Sequence, residues 1–163
     1  MLPPPREPGH YRIALVCLGN ICRSPMAHVV LEARLVEAGL DDVVEVSSSG
    51  TGGWHTGDTM DERAAATLSA AGYDGSRHRA RHFDAGWHDA VDLVLVMDQA
   101  NLRDVGGAGD RVAMFRDFDP DEPGGAVPDP YYGGPADYEE VLRMVERTCT
   151  GLVAALAQEL VEK

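Results

Sequence analysis

The chain has few cysteines, few aromatic residues and few positive charges. Its 163 residues include three cysteines and 6% aromatic residues, and 14 Lys+Arg against 27 Asp+Glu give a formal net charge of −13. An odd, low cysteine count argues against a disulfide-stapled secreted domain and is typical of a reducing cytoplasm. The negative charge argues against nucleic acid as a partner, because phosphate backbones are bound by clustered Lys and Arg.

Long apolar runs are also missing, so no segment is expected to span a membrane. The first ten residues, MLPPPREPGH, are rich in proline and lack the apolar centre of a signal peptide. We expect residues 1–10 to form a disordered, extended leader. Residues 11–163 are long enough to bury one hydrophobic core, and we expect them to form a single, monomeric, cytoplasmic domain.

Strands alternate with helices along this domain. The apolar runs YRIALVCL, VVEVSSSG, AVDLVLVM and RVAMFRDF predict four strands. Predicted helices begin after Ser24 as N-cap, after Thr59 in a capping box with Glu62, near Gln99 and near Asp137. This alternation predicts an α/β fold, a flavodoxin-like three-layer sandwich with a four-stranded parallel sheet flanked by helices.

The stretch VCLGNICRSP follows the first predicted strand, at the sheet edge where ligands of such folds bind. Gly19 and Asn20 allow a tight turn, and a loop curling into a helix start presents successive backbone N–H groups to an anion. Arg23 adds a guanidinium that can hold two oxygens of a phosphate. The helix start, Arg23 and the Ser24 hydroxyl also favour the nucleophilic thiolate form of Cys17. Further positive charge is expected from Arg77, Arg79 and Arg81.

A candidate acid lies in VPDPYYGG, far along the chain. Cleavage of a phosphate ester needs a proton for the leaving oxygen, and Asp129 is held in this segment between two prolines. On its own the segment is equally typical of an ordinary turn. A zinc site at Cys17 and Cys22 is disfavoured by their spacing and by Arg23, so no metal or cofactor is expected.

VCLGNICRSP and DPYYG resemble the two signatures of the low-molecular-weight protein tyrosine phosphatases of bacterial type. SSSGTGGWH and LVMDQAN resemble further segments of that family, and the similarity covers the chain after residue 10. The resemblance implies hydrolysis of phosphotyrosine in proteins through a phosphocysteine, with Cys17 as nucleophile, Arg23 as phosphate clamp and Asp129 as general acid and base. It implies that the substrate contacts Leu18, Gly19, Asn20, Ile21, Cys22, Ser24, Trp54, Tyr131 and Tyr132.

The sequence departs from the family at His28, where Glu is usual, and at Ser49, where Ala is usual. Both positions lie outside the signatures, so they bear on local packing. The resemblance further implies a signalling enzyme without cofactors, which takes phosphotyrosine proteins as partners and small aryl phosphates in vitro. We also expect Cys22 to protect an oxidised Cys17 through a disulfide, unless it only packs behind the loop.

Three other functions remain open at this point. An arsenate reductase on the same fold needs resolving cysteines, and Cys149, on the apolar face of the last predicted helix, is the remaining one. A phosphoarginine phosphatase is expected to carry Thr in place of Ile21 and a single aromatic residue after Asp-Pro. A phosphotyrosine-binding module would keep Arg23 but lose Cys17 or Asp129.

Overall fold

Four parallel strands form the sheet in the computed structural model, which describes residues 2–161. The strands are β1 (Tyr11–Cys17), β2 (Val44–Gly50), β3 (Leu93–Val96) and β4 (Val112–Met114), in the order β2-β1-β3-β4. The register pairs Cys17 with Gly50 and Val16 with Val96. The carboxyl ends of the three strands β1, β2 and β3 therefore meet at one edge of the sheet.

Helices cover both faces of this sheet. They are α1 (Arg23–Glu37), α2 (Glu62–Ala70), α3 (Gln99–Asp104) and α4 (Pro135–Val161), with a short 3₁₀ helix at Ala85–Asp89 that the sequence analysis did not predict. Alternate residues of β1 point to opposite faces: Ile13 and Leu15 join a large core with α1 and α4, whereas Ala14 and Val16 join a smaller one. The predicted three-layer α/β sandwich is confirmed.

Two predicted helix starts are wrong in detail. Helix α1 begins at Arg23, one residue before the predicted N-cap, and no side chain caps it. The Ser24 hydroxyl instead contacts Cys17 Sγ. Asp61 caps α2, because its carboxylate accepts from Arg63 N at 2.8 Å, so the predicted capping box of Thr59 and Glu62 does not form the cap.

Several residues at the start of the chain contact the domain, and the disordered leader stays a prediction. Leu2 is buried, and the Tyr11 hydroxyl donates to the Pro3 carbonyl at 2.9 Å. The buried Asp92 carboxylate accepts from the backbone N–H groups of Arg6 at 2.7 Å and Arg12 at 2.6 Å. Leu2, Pro3 and Arg6 therefore contact the domain, whereas most of residues 4–10 are exposed. Residue 1 of the predicted leader and residues 162–163 of the predicted domain lie outside the described range.

No helix in the range 2–161 is long and apolar enough to cross a membrane.

Candidate active site

A tight loop joins β1 to α1, and Asn20 sets its shape. Asn20 has φ +58°, the one non-glycine residue in the described range with positive φ, and asparagine tolerates this left-handed conformation. Its side chain is fully buried: Nδ2 donates to Ser24 Oγ at 2.9 Å and Oδ1 accepts from Arg81 N at 2.9 Å. His78 Nε2 lies 2.6 Å from the Asn20 carbonyl oxygen and donates to it. The loop is thus fixed from both sides.

The second strand passes directly behind this loop. Thr51 N donates to the Cys17 carbonyl at 2.9 Å, and Gly52 N donates to the Leu18 carbonyl at 2.8 Å. A Cβ atom at Gly50 would lie 2.6 Å from the Leu18 carbonyl oxygen, so only glycine lets the two backbones approach so closely. The loop is therefore held by backbone hydrogen bonds from the segment that follows β2.

Cys17, the last residue of β1, carries its sulfur at the base of the loop. Its Sγ lies 3.0 Å from Ser24 Oγ and accepts from Asn20 N at 3.3 Å. Because Asn20 Nδ2 donates to Ser24 Oγ, the hydroxyl proton of Ser24 is available to the sulfur or to the Ser49 carbonyl at 3.3 Å. The sulfur therefore has a hydroxyl and a backbone N–H group within hydrogen-bonding distance.

Several backbone N–H groups of the loop have no acceptor in the described part of the chain. They belong to Gly19, Ile21, Cys22 and Arg23. They lie at the start of α1, where the first N–H groups of a helix have no partner within the helix and the helix dipole favours negative charge. The loop therefore offers unpaired donors to an anion.

Arg23 is nearly completely buried and is held by a partner 75 residues away. Its Nη1 donates to Asp98 Oδ2 at 2.6 Å and to the Val127 carbonyl at 3.1 Å. Burial opposes ionisation of Asp98, but its bonds from Arg23 and from Asn101 N outweigh burial and hold the pKa of Asp98 below its ordinary value. Asp98 stands in the segment LVMDQAN, and its role as the partner of Arg23 was not predicted from the sequence.

Asp129 lies at the same mouth. Its Oδ2 is 3.6 Å from Arg23 Nη2, and its Oδ1 accepts from Tyr131 N at 3.1 Å. The side chain is 43% exposed, so it is reached from solvent. The carboxylate and the guanidinium thus flank the opening above the thiol.

One cavity of about 260 Å³ unites most of the predicted site. Its walls are Cys17, Leu18, Gly19, Ile21, Cys22, Arg23, Trp54, His55, Asp129, Tyr131 and Tyr132. Asn20 and Ser24 do not line it, since both are fully buried behind the loop. His55 was not predicted, although it stands in the quoted segment SSSGTGGWH. Arg77, Arg79 and Arg81 line a different cavity, so the expectation that they add charge at this mouth is not met.

Aromatic rings form the outer walls of this cavity. Trp54 and Tyr132 are 73% and 96% exposed, and the rings of Tyr131 and Tyr132 meet edge to face at 5.0 Å. The Arg63 guanidinium lies 5.4 Å from the Tyr131 ring centre and supports it from α2. A flat, apolar ligand group fits between such walls better than a flexible polar one.

The three cysteines are free thiols and differ in their surroundings. Burial raises the pKa of Cys22 to about 12, and its Sγ lies 3.6 Å from the Tyr138 hydroxyl. Cys149 is completely buried in the core beside α1, and burial raises its pKa as well. Cys149 therefore packs in the core, as its place on the apolar face of the last helix predicts.

Within residues 2–161, no group of three or more His, Cys, Asp or Glu side chains is placed to hold a metal ion. The fold and the site together define a class of protein: an α/β sandwich whose first strand leads into a loop that contains a thiol and offers unpaired N–H donors to an anion.

The comparisons with known proteins agree with this class. Residues 12–162 match the family model described as low molecular weight phosphotyrosine protein phosphatase. A low molecular weight protein-tyrosine-phosphatase of Streptomyces coelicolor is 46% identical over 158 residues, which cover 92% of this chain and 96% of that protein. Low molecular weight protein-tyrosine phosphatase A of Mycobacterium bovis is 45% identical, covering 86% and 88%.

Solved structures show the same likeness. The crystal structure of a protein tyrosine phosphatase from Entamoeba histolytica, with Hepes in its active site, matches with a TM-score of 0.86 at 27% identity and covers 91% of this chain and 97% of that chain. YfkJ from Bacillus subtilis matches with a TM-score of 0.85 at 31% identity, covering 92% and 96%. The chain belongs to the low molecular weight protein tyrosine phosphatase family and is an enzyme of the phosphomonoester hydrolase class.

Proposed function

We propose that this enzyme hydrolyses phosphotyrosine in proteins through a phosphocysteine intermediate, with Cys17, Arg23 and Asp129 in the roles that the family resemblance implies. One observation carries the proposal. The thiol, unpaired loop N–H groups, the guanidinium and the carboxylate all border one cavity of about 260 Å³ at the sheet edge. Cavities of this kind are the usual place of chemistry in parallel α/β folds.

In the first step the Cys17 thiolate attacks phosphorus, an S–P bond forms and the ester P–O bond breaks. Asp129 donates its proton to the leaving phenolate oxygen. In the second step Asp129 takes a proton from water, whose oxygen attacks phosphorus. The S–P bond breaks, and phosphate and the thiolate are released. The loop N–H groups and Arg23 hold the phosphoryl oxygens in both steps.

The walls of the cavity support a phenyl ester as substrate. Trp54, Tyr131 and Tyr132 offer ring faces above the thiol, and Ile21 lines the same cavity without a hydroxyl for a guanidinium. We therefore propose phosphotyrosine proteins as partners, and small aryl phosphates as substrates in vitro. The comparisons give no support to an arsenate reductase or to a phosphoarginine phosphatase.

The wider setting is also a proposal. The low, odd number of cysteines is typical of proteins in a reducing cytoplasm, so we propose a cytoplasmic location. We also propose that the enzyme is a monomer that acts in signalling.

The test replaces the nucleophile and keeps the loop. We expect Cys17→Ser to abolish turnover of an aryl phosphate in the absence of metal, because a serine hydroxyl is a far weaker nucleophile. Phosphate binding should persist, since the N–H groups and Arg23 remain. Cys149→Ala, a change in the core, is the control for loss of a thiol elsewhere. Substantial turnover by pure Cys17→Ser would refute the covalent mechanism. If Cys17→Ser is inactive and still binds phosphate, trapping of bound proteins from a cell lysate with Cys17→Ser and with Asp129→Ala would identify substrates.

A further inference from the structure

A second and larger cavity, of about 600 Å³, adjoins the loop from behind. Its walls come from α1, from β2 and from the segment that follows α2, residues 72–81. It shares no lining residue with the cavity that contains Cys17. His78 connects the second cavity to the loop, because it lines this cavity and donates to the Asn20 carbonyl. Its volume is in the range of sites for small molecules.

Guanidinium groups without ion pairs are concentrated in this cavity. Of the 14 Lys+Arg, Lys163 lies outside the described range, which leaves 13 arginines. Eight of these form ion pairs within 4.0 Å. The five described arginines without one are Arg6, Arg77, Arg79, Arg81 and Arg103, and three of them line the cavity.

The contacts that these three arginines do make leave their charge unbalanced. Arg79 Nη1 donates to the carbonyls of Ser76 and His78, and the Arg81 guanidinium lies 5.0 Å from the Trp87 ring centre. Arg77 makes no hydrogen bond or ion pair with the described residues. Carbonyls and rings do not neutralise a cation, so all three charges lack a balancing contact, although the Arg81 guanidinium lies against Trp87, which does not line the cavity.

The carboxylates of the same cavity offset only part of this charge. Glu32 lies 3.4 Å from His28 Nε2, and Glu45 lies 3.5 Å from Arg12 Nε. Asp74 remains without a cationic partner within 4.0 Å among residues 2–161; it accepts instead from Ser76 N at 2.9 Å. With Glu45 paired to Arg12, three guanidinium groups stand against the two carboxylates Glu32 and Asp74, which leaves a local excess of one positive charge in a chain of net charge −13.

We propose that this cavity binds a small polyanion that carries phosphate groups, with Arg77 and Arg79 as its principal contacts. Guanidinium groups hold phosphate oxygens through paired, charge-assisted hydrogen bonds. Two neighbouring guanidinium groups, with Arg81 close by, favour a molecule with more than one negative charge over a single phosphate. This site goes beyond the proposed hydrolysis, because it does not use Cys17 and lies outside the cavity of the thiol.

His78 gives the site an independent signal. Burial lowers the pKa of His78, and repulsion from His28, Arg79 and Arg81 lowers it further, against the opposing effect of the bond to Asn20. A polyanion among these cations offsets the repulsion and raises the pKa of His78. If the arginines only supported the fold, addition of a polyanion would not change the pKa of His78.

The experiment first closes the loop to anions. Carboxymethylation with iodoacetate is directed to Cys17, because burial raises the pKa of Cys22 and Cys149, and mass spectrometry confirms a single adduct. Pyrophosphate is then titrated into the modified protein by calorimetry. We expect saturable binding to one site, together with an upward shift of the His78 titration in NMR spectra.

Two matched variants locate the binding. Arg77→Gln should weaken pyrophosphate binding at least tenfold, which corresponds to about 1.4 kcal/mol. Arg103→Gln removes an equally unpaired charge from α3, outside the cavity, and should leave binding unchanged. The proposal is overturned by the absence of saturable binding, by equal losses in both variants, or by a His78 titration that does not move. The modified protein is inactive by design, so its result is independent of phosphotyrosine hydrolysis.

Discussion

The variant Asp98→Asn offers a direct test of how Arg23 is positioned, because asparagine removes the negative charge of aspartate and keeps its shape. Asp98 is both the partner of Arg23 Nη1 at 2.6 Å and the N-cap of α3, where it accepts from Asn101 N at 2.8 Å. Asparagine is as good an N-cap as aspartate. Asp98→Asn therefore leaves the helix start intact and removes the charge that faces a buried guanidinium.

The expected loss follows from the two kinds of hydrogen bond. A bond to a charged group contributes about 1.5–3 kcal/mol and a neutral one about 0.5–1.5 kcal/mol, so Asp98→Asn should lower the free energy of unfolding by about 1–2 kcal/mol at pH 7. If the same free energy is lost from the transition state, kcat/KM for an aryl phosphate should fall roughly 5- to 30-fold. A guanidinium held less firmly turns towards Asp129, which lies 3.6 Å from Nη2.

The pH dependence gives the prediction its sign. The pKa of Asp98 is lowered in the folded protein, so its contribution is complete above the unfolded pKa of about 3.9 and is lost as pH falls through the folded pKa. Urea unfolding of wild type and variant at pH 7, 5 and below 4 measures the gap. Asp104→Asn, at the other end of α3 with one described bond from Thr51, is the control. A gap no larger than that of the control, or one that persists unchanged at the lowest pH, would refute the reasoning.

The remaining predictions concern the acid, the walls and the second thiol of the site. Asp129→Ala should slow aryl phosphates more as the phenol becomes more basic, because a stable phenolate needs no proton; an equal loss across a graded series would remove Asp129 from the acid role. Replacing Trp54 and Tyr132 with Ala should reduce the preference of kcat/KM for phosphotyrosine over phosphoserine peptides, and a wild type without such a preference would contradict the stacking model. After peroxide converts Cys17 to a sulfenic acid, condensation with the Cys22 thiol releases water and forms a disulfide, so wild type should recover with dithiothreitol better than Cys22→Ser. Equal recovery, with no Cys17–Cys22 bond in mass spectra, would leave Cys22 as packing against Tyr138.

The strands and the loop are features that local sequence predicts well. The four predicted strand segments contain the observed strands, which are three to seven residues long, and Gly19-Asn20 became a turn with φ +58° at Asn20. Helix starts were less predictable, because several side chains near each start compete for the same backbone N–H groups. At α2 the Asp61 carboxylate is the group that accepts, whereas the expected capping box places Thr59 there.

The partners of the site residues lie far away in sequence, and no spacing rule finds them. Asp98 is 75 residues from Arg23, and His78 is 58 residues from Asn20. Similarly, Arg6 N donates to the carboxylate of Asp92, 86 residues further along the chain. Each of these pairs joins segments that only the sheet brings together.

The sequence by itself determined the residues of the candidate site: a thiol, an arginine and a hydroxyl between a strand end and a helix start, with an aspartate between prolines downstream. Local spacing is sufficient to place the first three of these residues in one loop, whereas distant groups such as His78 and Thr51 N hold its shape. Only the tertiary structure decided that Ser24 serves the sulfur and not the helix start, that Asp98 holds Arg23, and that three arginines open on a separate cavity. The physical reason is that parallel strands bring their carboxyl ends to one edge, where residues distant in sequence compete for the same hydrogen bonds.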